Sequence, residues 1–374
     1  MSELEAVNPS FFNANLVFMH YCDGSSYSSY REEPLTAPAG LPAALAAIAA
    51  ERGSDWNSYN GKPAGAPPKQ IWMRGRANLK AVVSYMLQYL GLADSTEFIV
   101  SGGSAGATGV FLGLDYIRSW VPPTLRVAGN PDAGMFLDLA RAGGNDTWYR
   151  DCFEAAAPVW NGSDLASAAC GAAYASQPWH CYLPEYSAQY IATPMLVSNS
   201  AIDMWGTLNI LGLGCEPSMD NKTSAGGLHP CAPPQWELLQ GWADAFHARL
   251  GAWLSGSPQS RTAFIPSCWD HEINIGYCSG QSLPNCRGWA TYFVAPSSGS
   301  GVGGPSVTLQ TATTQWFQAL FASGSSYQAA LQAGLAAVAA ALAGQPAPQQ
   351  GAALTQWVDA FTYPMNPSCV YPPG

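Results

Sequence analysis

The stretch Glu97 to Ala107, EFIVSGGSAGA, constrains the chain most. An apolar run of strand character ends at Ser101, and helical spacing begins at Ala105, so the chain must turn sharply between them. Gly102-Gly103-Ser104-Ala105-Gly106 matches Gly-x-Ser-x-Gly, and the strand–turn–helix context makes it a nucleophile elbow. A serine on such a turn takes a strained backbone conformation, so its neighbours must be small. From Gly102 to Ala107 every residue except Ser104 is Gly or Ala, and Gly106, Gly109 and Gly113 are expected to keep the helix close to the sheet. The opening helix aims amide donors and its positive dipole end at a developing oxyanion. The amide of Ala105 is the natural first donor. Two other uses of the turn exist: a glycine turn packing a helix on a strand around an ordinary serine, and a phosphate-binding loop. The second needs a Walker lysine or a GxGxxG run, and neither is present.

Around this turn, strands and helices alternate. Asn15 to Tyr21 (NLVFMHY) reads as a buried strand. Leu79, Val82, Val83, Met86, Leu87 and Leu90 mark one face of a helix from about Ala77 to Leu90. A helix over 105–120 follows the elbow. Further strands are expected at Leu125 to Gly129, Pro194 to Asn199 and Thr262 to Pro266, with a helix from Trp236 to Leu254. This alternation argues for an α/β chain with a mostly parallel sheet and helices on both faces. A single domain over 1–374 is expected, with irregular insertions near 31–68 and 145–189 and an Ala-rich insertion at 322–354. Leu41 to Ala50 reads as a surface or lid helix, and Ala329 to Leu342 as a helix.

A serine nucleophile needs a base, and the chain has five histidines. In this fold class the order is Ser, acid, His, which leaves His180, His229, His247 and His271. His247 lies in the helix 236–254, and His180 and His229 lie in Pro/Cys-rich loops. His271 follows the strand Thr262 to Pro266 by a short loop, SCWDH, where a base should sit. Asp203 follows the strand at 194–199, Asp132 follows the strand at 125–129, and Asp270 adjoins His271. Adjacent side chains seldom aim at each other, and Asp before small residues favours turns. Asp203 is the preferred acid, with Asp132 the alternative. The chemistry would be acyl transfer through an acyl-enzyme. Cys215, His229 and Cys231 cluster, but no pair has zinc-finger spacing and disulfides explain the cysteines more simply. No metal or other cofactor is expected.

Charged residues are only 11% of the 374, and the net charge is −10. A chain this acidic has no global field for nucleic acid or an anionic membrane. An uncharged ester or a partly neutralised polymer suits it better. Ten cysteines without a CxxC pair suggest up to five bridges and an oxidising compartment. Asn145-Asp-Thr147, Asn161-Gly-Ser163 and Asn221-Lys-Thr223 are N-glycosylation triplets. Met1 to Phe12 has no basic start and no apolar run, so it is not a signal peptide. No run of roughly 18 apolar residues exists to span a membrane. A secreted protein with an incomplete N-terminus is the expectation.

Several further segments fit one pattern. They are Tyr21-Cys22-Asp23-Gly24-Ser25-Ser26, Arg74-Gly75, the elbow from Ser101 to Gly106, Asp115, and Asp132-Ala133-Gly134-Met135-Phe136-Leu137-Asp138. Asn199-Ser200-Ala201-Ile202-Asp203-Met204-Trp205, Ser267-Cys268-Trp269-Asp270-His271 and Tyr363-Pro364-Met365-Asn366-Pro367-Ser368-Cys369 complete them. Collinear from about Asn8 to Cys369, they resemble the pectin acetylesterase/Notum family of carboxylesterases, carbohydrate esterase family 13. The resemblance implies an α/β-hydrolase-like fold, an extracellular or cell-wall location, and a triad of Ser104, Asp203 and His271, with Asp132 structural. The Tyr-Cys-Asp-Gly-Ser-Ser segment looks more like the pectin acetylesterase arm. Its implied activity is removal of acetyl groups from pectic polysaccharide by a monomer. The alternatives are a Notum-like deacylase of lipid-modified protein and a weak or dead hydrolase-fold protein that binds glycans.

Three departures from the family pattern stand out. Gly103 and Ala107 replace a Cys and a Gly at the elbow, so a family disulfide is expected to be absent. The Ala-rich segment is extra. The family's Gly-Gly-Gly-Trp-Cys-like strand end would lie upstream of Asn8, so the sheet is expected to lack its first N-terminal strand and an oxyanion-hole amide. Loss of one such donor typically lowers turnover about 10²–10³-fold.

Overall fold

The computed structural model describes residue 5 and residues 8–37, 69–161, 167–217, 229–273, 293–294, 307–348 and 353–359. Leu41 to Ala50, the triplet at Asn221, most of the triplet at Asn161 and the segment from Tyr363 to Cys369 lie outside the described residues.

A five-stranded parallel sheet organises the chain. Its strands are β1 (Glu97–Gly103), β2 (Arg126–Asp132), β3 (Met195–Ser198), β4 (Arg261–Ile265) and β5 (Trp357–Val358). They lie side by side in chain order, with β1 at one edge and β5 at the other among the described residues. The long helices among the described residues are α1 (Gly75–Tyr89), α2 (Ala105–Trp120), α3 (Trp148–Trp160), α4 (Pro233–Gly256), α5 (Leu309–Phe321) and α6 (Gly324–Leu342).

Strand alternation explains why both faces are covered. Val127, Met195, Val197, Ala263 and Ile265 point to one face, where α1, α2 and α4 bury Val83, Phe111, Leu114, Trp242 and Phe246. Ala128, Leu196, Phe264 and Trp357 point to the other, against Trp316, Leu320 and Tyr327 of α5 and α6. Strands with apolar residues on both sides read as continuous runs, which is how they showed in the sequence. The Ala-rich segment is part of this core. The Tyr327 hydroxyl bonds both backbone groups of Val127, at 3.0 and 2.9 Å.

Two expectations are overturned here. Asn15 to Tyr21 forms no strand, and Leu16 and Phe18 are 66% and 77% exposed. An apolar run becomes a strand only where a second backbone segment pairs with it, and no described segment does so; the Tyr27 hydroxyl bonds Met19 O, at 2.9 Å. The region near 145–189 is not irregular. It holds α3, a helix over Ala168–Ala173 and several short turns of helix, with a disulfide between Cys170 and Cys181. Pro158 sits inside α3 and masks the helical signal.

Some distant sequence segments meet. Leu35–Ala37 pairs antiparallel with Lys69–Ile71, so the excursion between them leaves and returns at one place. Buried Asp23 accepts from Ser25 Oγ at 2.8 Å, from the Gly75 amide at 2.6 Å, and from Ser29 Oγ. A side chain at Gly75 would strike Tyr27 Cα at 2.6 Å, which ties Arg74-Gly75 to the loop at 21–29. Asp115 accepts from the amides of Ala192 and Thr193, both at 3.0 Å, and so anchors the entry to β3.

Candidate active site

The site lies where the strands end, because the loops after β1, β2, β3 and β4 are stitched together there. The Ser104 amide donates to Asp132 O at 2.9 Å, and the Ala133 amide to Ser198 O at 2.8 Å. The Met135 amide donates to Asn199 Oδ1 at 3.1 Å. The Ala201 amide donates to Pro266 O at 2.9 Å, and Ser200 Oγ donates to Cys268 O. Ile202–Asp203 then pairs in parallel with Trp269–Asp270, setting Asp203 beside Asp270 in the register. His271 is the next residue, so this short ladder delivers the imidazole to Asp203.

Ser104 stands between β1 and α2 with φ 53° and ψ −117°, the strained turn that the elbow demands. A side chain at Gly102 would meet Gly106 C and O at 2.6 Å, so a glycine there lets strand and helix close on each other. Gly109 and Gly113 do not face the sheet as the sequence suggests. Gly109 faces Tyr27, and Gly113 faces Leu79 of α1. The close approach to the sheet comes instead from strand-side glycines: a side chain at Gly129 would meet Leu114 at 2.7 Å, and one at Gly134 would meet Ala107 at 2.5 Å.

Ser104, His271 and Asp203 form one line of hydrogen bonds. His271 Nε2 lies 2.9 Å from Ser104 Oγ, and Nδ1 lies 2.8 Å from Asp203 Oδ2. Asp203 is buried, and its other oxygen accepts from the Gly206 amide at 2.7 Å. Both carboxylate oxygens are therefore held. Gly206 is needed because a side chain there would strike the Trp242 ring at 2.5 Å. The Asp-x-x-Gly spacing was visible in the sequence, and a helix-capping acid followed by a glycine was the signal that could have found this bond. Phe136, 6.1 Å from the imidazole between ring centres, and Trp205 behind it form an aromatic wall.

Burial pulls the His271 proton affinity down. The hydrogen bond and charge of Asp203 outweigh it, with smaller help from Glu272 and Asp132, and the net direction is up. Burial also lifts Asp270, to about 6; the His271 amide opposes this and the Asp203 charge adds to it.

The remaining candidates are placed elsewhere. Asp132 does not reach the imidazole nitrogens, and its Oδ1 accepts from the Ile273 amide at 3.0 Å. Asp270 accepts from the His271 amide at 2.7 Å. His180 stacks between Tyr174 and Trp179, and His247 lies on α4. Cys215 and Cys231 are joined in a disulfide, with His229 paired in register beside Cys215. No described helix is long and apolar enough to cross a membrane.

Comparison with known proteins adds an independent line. The family described as Pectinacetylesterase matches residues 52–370. Pectin acetylesterase 11 of Arabidopsis thaliana is 27% identical over 285 residues, covering 76% of this chain and 62% of that protein. Palmitoleoyl-protein carboxylesterase NOTUM of Drosophila melanogaster is 25% identical over 271 residues, covering 71% of this chain and 33% of that protein. The solved structure of the Wnt deacylase Notum from Drosophila superposes with a TM-score of 0.59 at 22% identity, covering 85% of this chain and 72% of that one. At that identity the likeness shows the fold, which is α/β-hydrolase-like. The chain spans about three-fifths of the length of the pectin acetylesterases it matches.

Proposed function

Because the chain belongs to the pectinacetylesterase family, we propose that it is a serine carboxylesterase that removes acetyl groups from pectic cell-wall polysaccharide outside the cell. The observation that carries the reading is the hydrogen-bonded line from Ser104 through His271 to Asp203 at a strained strand-to-helix turn.

In this reading Ser104 Oγ attacks the acetyl carbonyl carbon while His271 Nε2 takes its proton. Asp203 keeps the other imidazole proton on Nδ1 and stabilises the imidazolium. The Ala105 amide, at the start of α2, donates to the oxyanion. The carbon–oxygen bond to the sugar breaks, and the sugar hydroxyl leaves with the proton from His271. Water, activated by the same imidazole, then attacks acetyl-Ser104 and releases acetate. The steps as written call on no metal or other cofactor. The disulfides at Cys170–Cys181 and Cys215–Cys231 fit an oxidising compartment.

Three measurements test this. The chain should release acetate from acetylated pectin, with Ser104→Ala silent, and should release little fatty acid from a palmitoleoylated peptide. Preference for the lipidated peptide would move the assignment to a Notum-like deacylase. A wild-type chain that neither releases acetate nor reacts with a serine-directed fluorophosphonate would leave a glycan-binding hydrolase fold.

The pH profile follows from the raised proton affinity of His271. The base must be neutral, so kcat/KM should rise with pH and level off above the ordinary histidine range near about 6.5. A limb centred below that range would contradict a base held up by Asp203.

A further inference from the structure

We propose that Asp132 is a positioning residue for acyl transfer, whose buried side chain locks the loop carrying His271 onto the strand end that seats Ser104. The proposal rests on the esterase reading above.

His271 stands on a loop, not on a helix or a long strand, so something must fix it. Its upstream side is fixed by the short ladder to Ile202–Asp203. On its downstream side, Glu272 takes φ 62°, a left-handed conformation that a non-glycine residue keeps only when its neighbours impose it. The very next amide, that of Ile273, donates to Asp132 Oδ1 at 3.0 Å, and the Ile273 side chain is buried. The chain is thus pinned immediately after the strained residue.

Asp132 holds the nucleophile as well. Its backbone oxygen accepts from the Ser104 amide at 2.9 Å, in a stretch where Gly103 and Asp132 are register partners across β1 and β2. Any residue supplies a backbone carbonyl. Only an acceptor side chain at position 132 can also reach Ile273. One residue therefore sets the distance between the serine and the histidine, with its main chain on one side and its side chain on the other. Asp132 is 1% exposed. Burying a carboxylate is unfavourable unless it is used, and a turn-forming role alone would not require burial.

Charge supports the same assignment. The groups that act on the imidazole are Asp203, Glu272 and Asp132, beside Ser104 Oγ, with Asp270 adjoining on the backbone. Asp132 is the one among the carboxylates that also bonds the nucleophile's own amide.

The test compares Asp132→Asn with Asp132→Ala. Asparagine keeps the oxygen for the Ile273 amide and removes the charge; alanine removes both. The His271 imidazole is titrated by nitrogen NMR, which needs no turnover, and fluorophosphonate labelling of Ser104 gives the reactivity. In Asp132→Asn, His271 should titrate at lower pH than in the wild type, with labelling kept within several-fold. In Asp132→Ala, labelling should slow by roughly 10–100-fold, since a small misplacement of reacting groups has that effect. Where Asp132→Ala does not fold, the Asn titration decides. Unchanged titration in Asp132→Asn together with wild-type labelling in a folded Asp132→Ala overturns the proposal. A wild-type chain that does not label at all sinks the esterase reading instead, and the titration then still reports whether Asp132 governs His271.

Discussion

Asp203→Asn should lower turnover of an acetyl ester about 10⁴-fold while leaving the fold intact, the size of effect expected when an acid of this kind is neutralised. The two oxygens of Asp203 already have partners. One accepts from the Gly206 amide at 2.7 Å and the other faces His271 Nδ1 at 2.8 Å. Asparagine has one oxygen, and the Gly206 amide requires it. The amide NH₂ must then point at Nδ1, and two donors cannot face each other. The imidazole answers by moving its proton to Nε2, where it meets the Ser104 hydroxyl as a donor and can no longer accept. Thermal unfolding of the variant should stay close to wild type, because the Gly206 bond survives. Hydrolysis of p-nitrophenyl acetate by the two proteins, measured side by side, checks this. Activity within tenfold of wild type would remove Asp203 from the role of acid.

Gly102→Ala should be the most damaging small substitution at the elbow, by about 3 kcal/mol or more. The added carbon would sit 2.6 Å from Gly106 C and O and 3.1 Å from its Cα. These are backbone atoms, so no side-chain rotation relieves the clash. β1 and α2 would have to separate, carrying Ser104 away from His271. Gly106→Ala is the internal control. A carbon there meets nothing within 4 Å, and alanine suits a helix better than glycine. Urea unfolding midpoints of the two variants should differ sharply, with Gly102→Ala alone losing stability. Equal midpoints would mean that the close packing of strand on helix does not hold the turn.

The difference between these two glycines was not visible in the sequence, and the reason is general to the molecule. Local chemistry could be read. Strand, tight turn and helix around Ser104 come from adjacent residues, and α2 spans Ala105–Trp120, the range that the spacing gave. The placement of His271 near Ser104 could be read because a loop after a late strand is a local feature too. The residues alone favour Asp203 over Asp132 as the acid without excluding Asp132. Both follow apolar strands, and they differ in whether the oxygen meets Nδ1, 68 residues along the chain, or the Ile273 amide, 141 residues along. The run at Asn15 to Tyr21 departs from its strand expectation for the same cause. Its residues suit a strand, but strand formation depends on a partner elsewhere in the chain. Gly109 and Gly113 were set against the sheet because helix glycines often serve there. In the fold their neighbours are Tyr27 and Leu79, and the residues that let α2 approach the sheet are Gly129 and Gly134 on the other side.

The strands lie across the sheet in the order in which they are made, and this bears on when the proposed nucleophile meets its base. A growing chain leaves the ribosome with Ser104 first and His271 well after it. The loop before His271 is fastened still later: the Ser267 amide donates to Asp359 Oδ2 at 3.2 Å, and the Asp359 amide donates to Ile265 O at 2.9 Å. At about 5–20 residues per second, the interval between Ser104 and Asp359 amounts to roughly 10–50 seconds. Throughout that time the half-made protein carries an unarmed hydroxyl. In the esterase reading proposed above, the loop that carries its base is fully fastened only after Asp359 has been made.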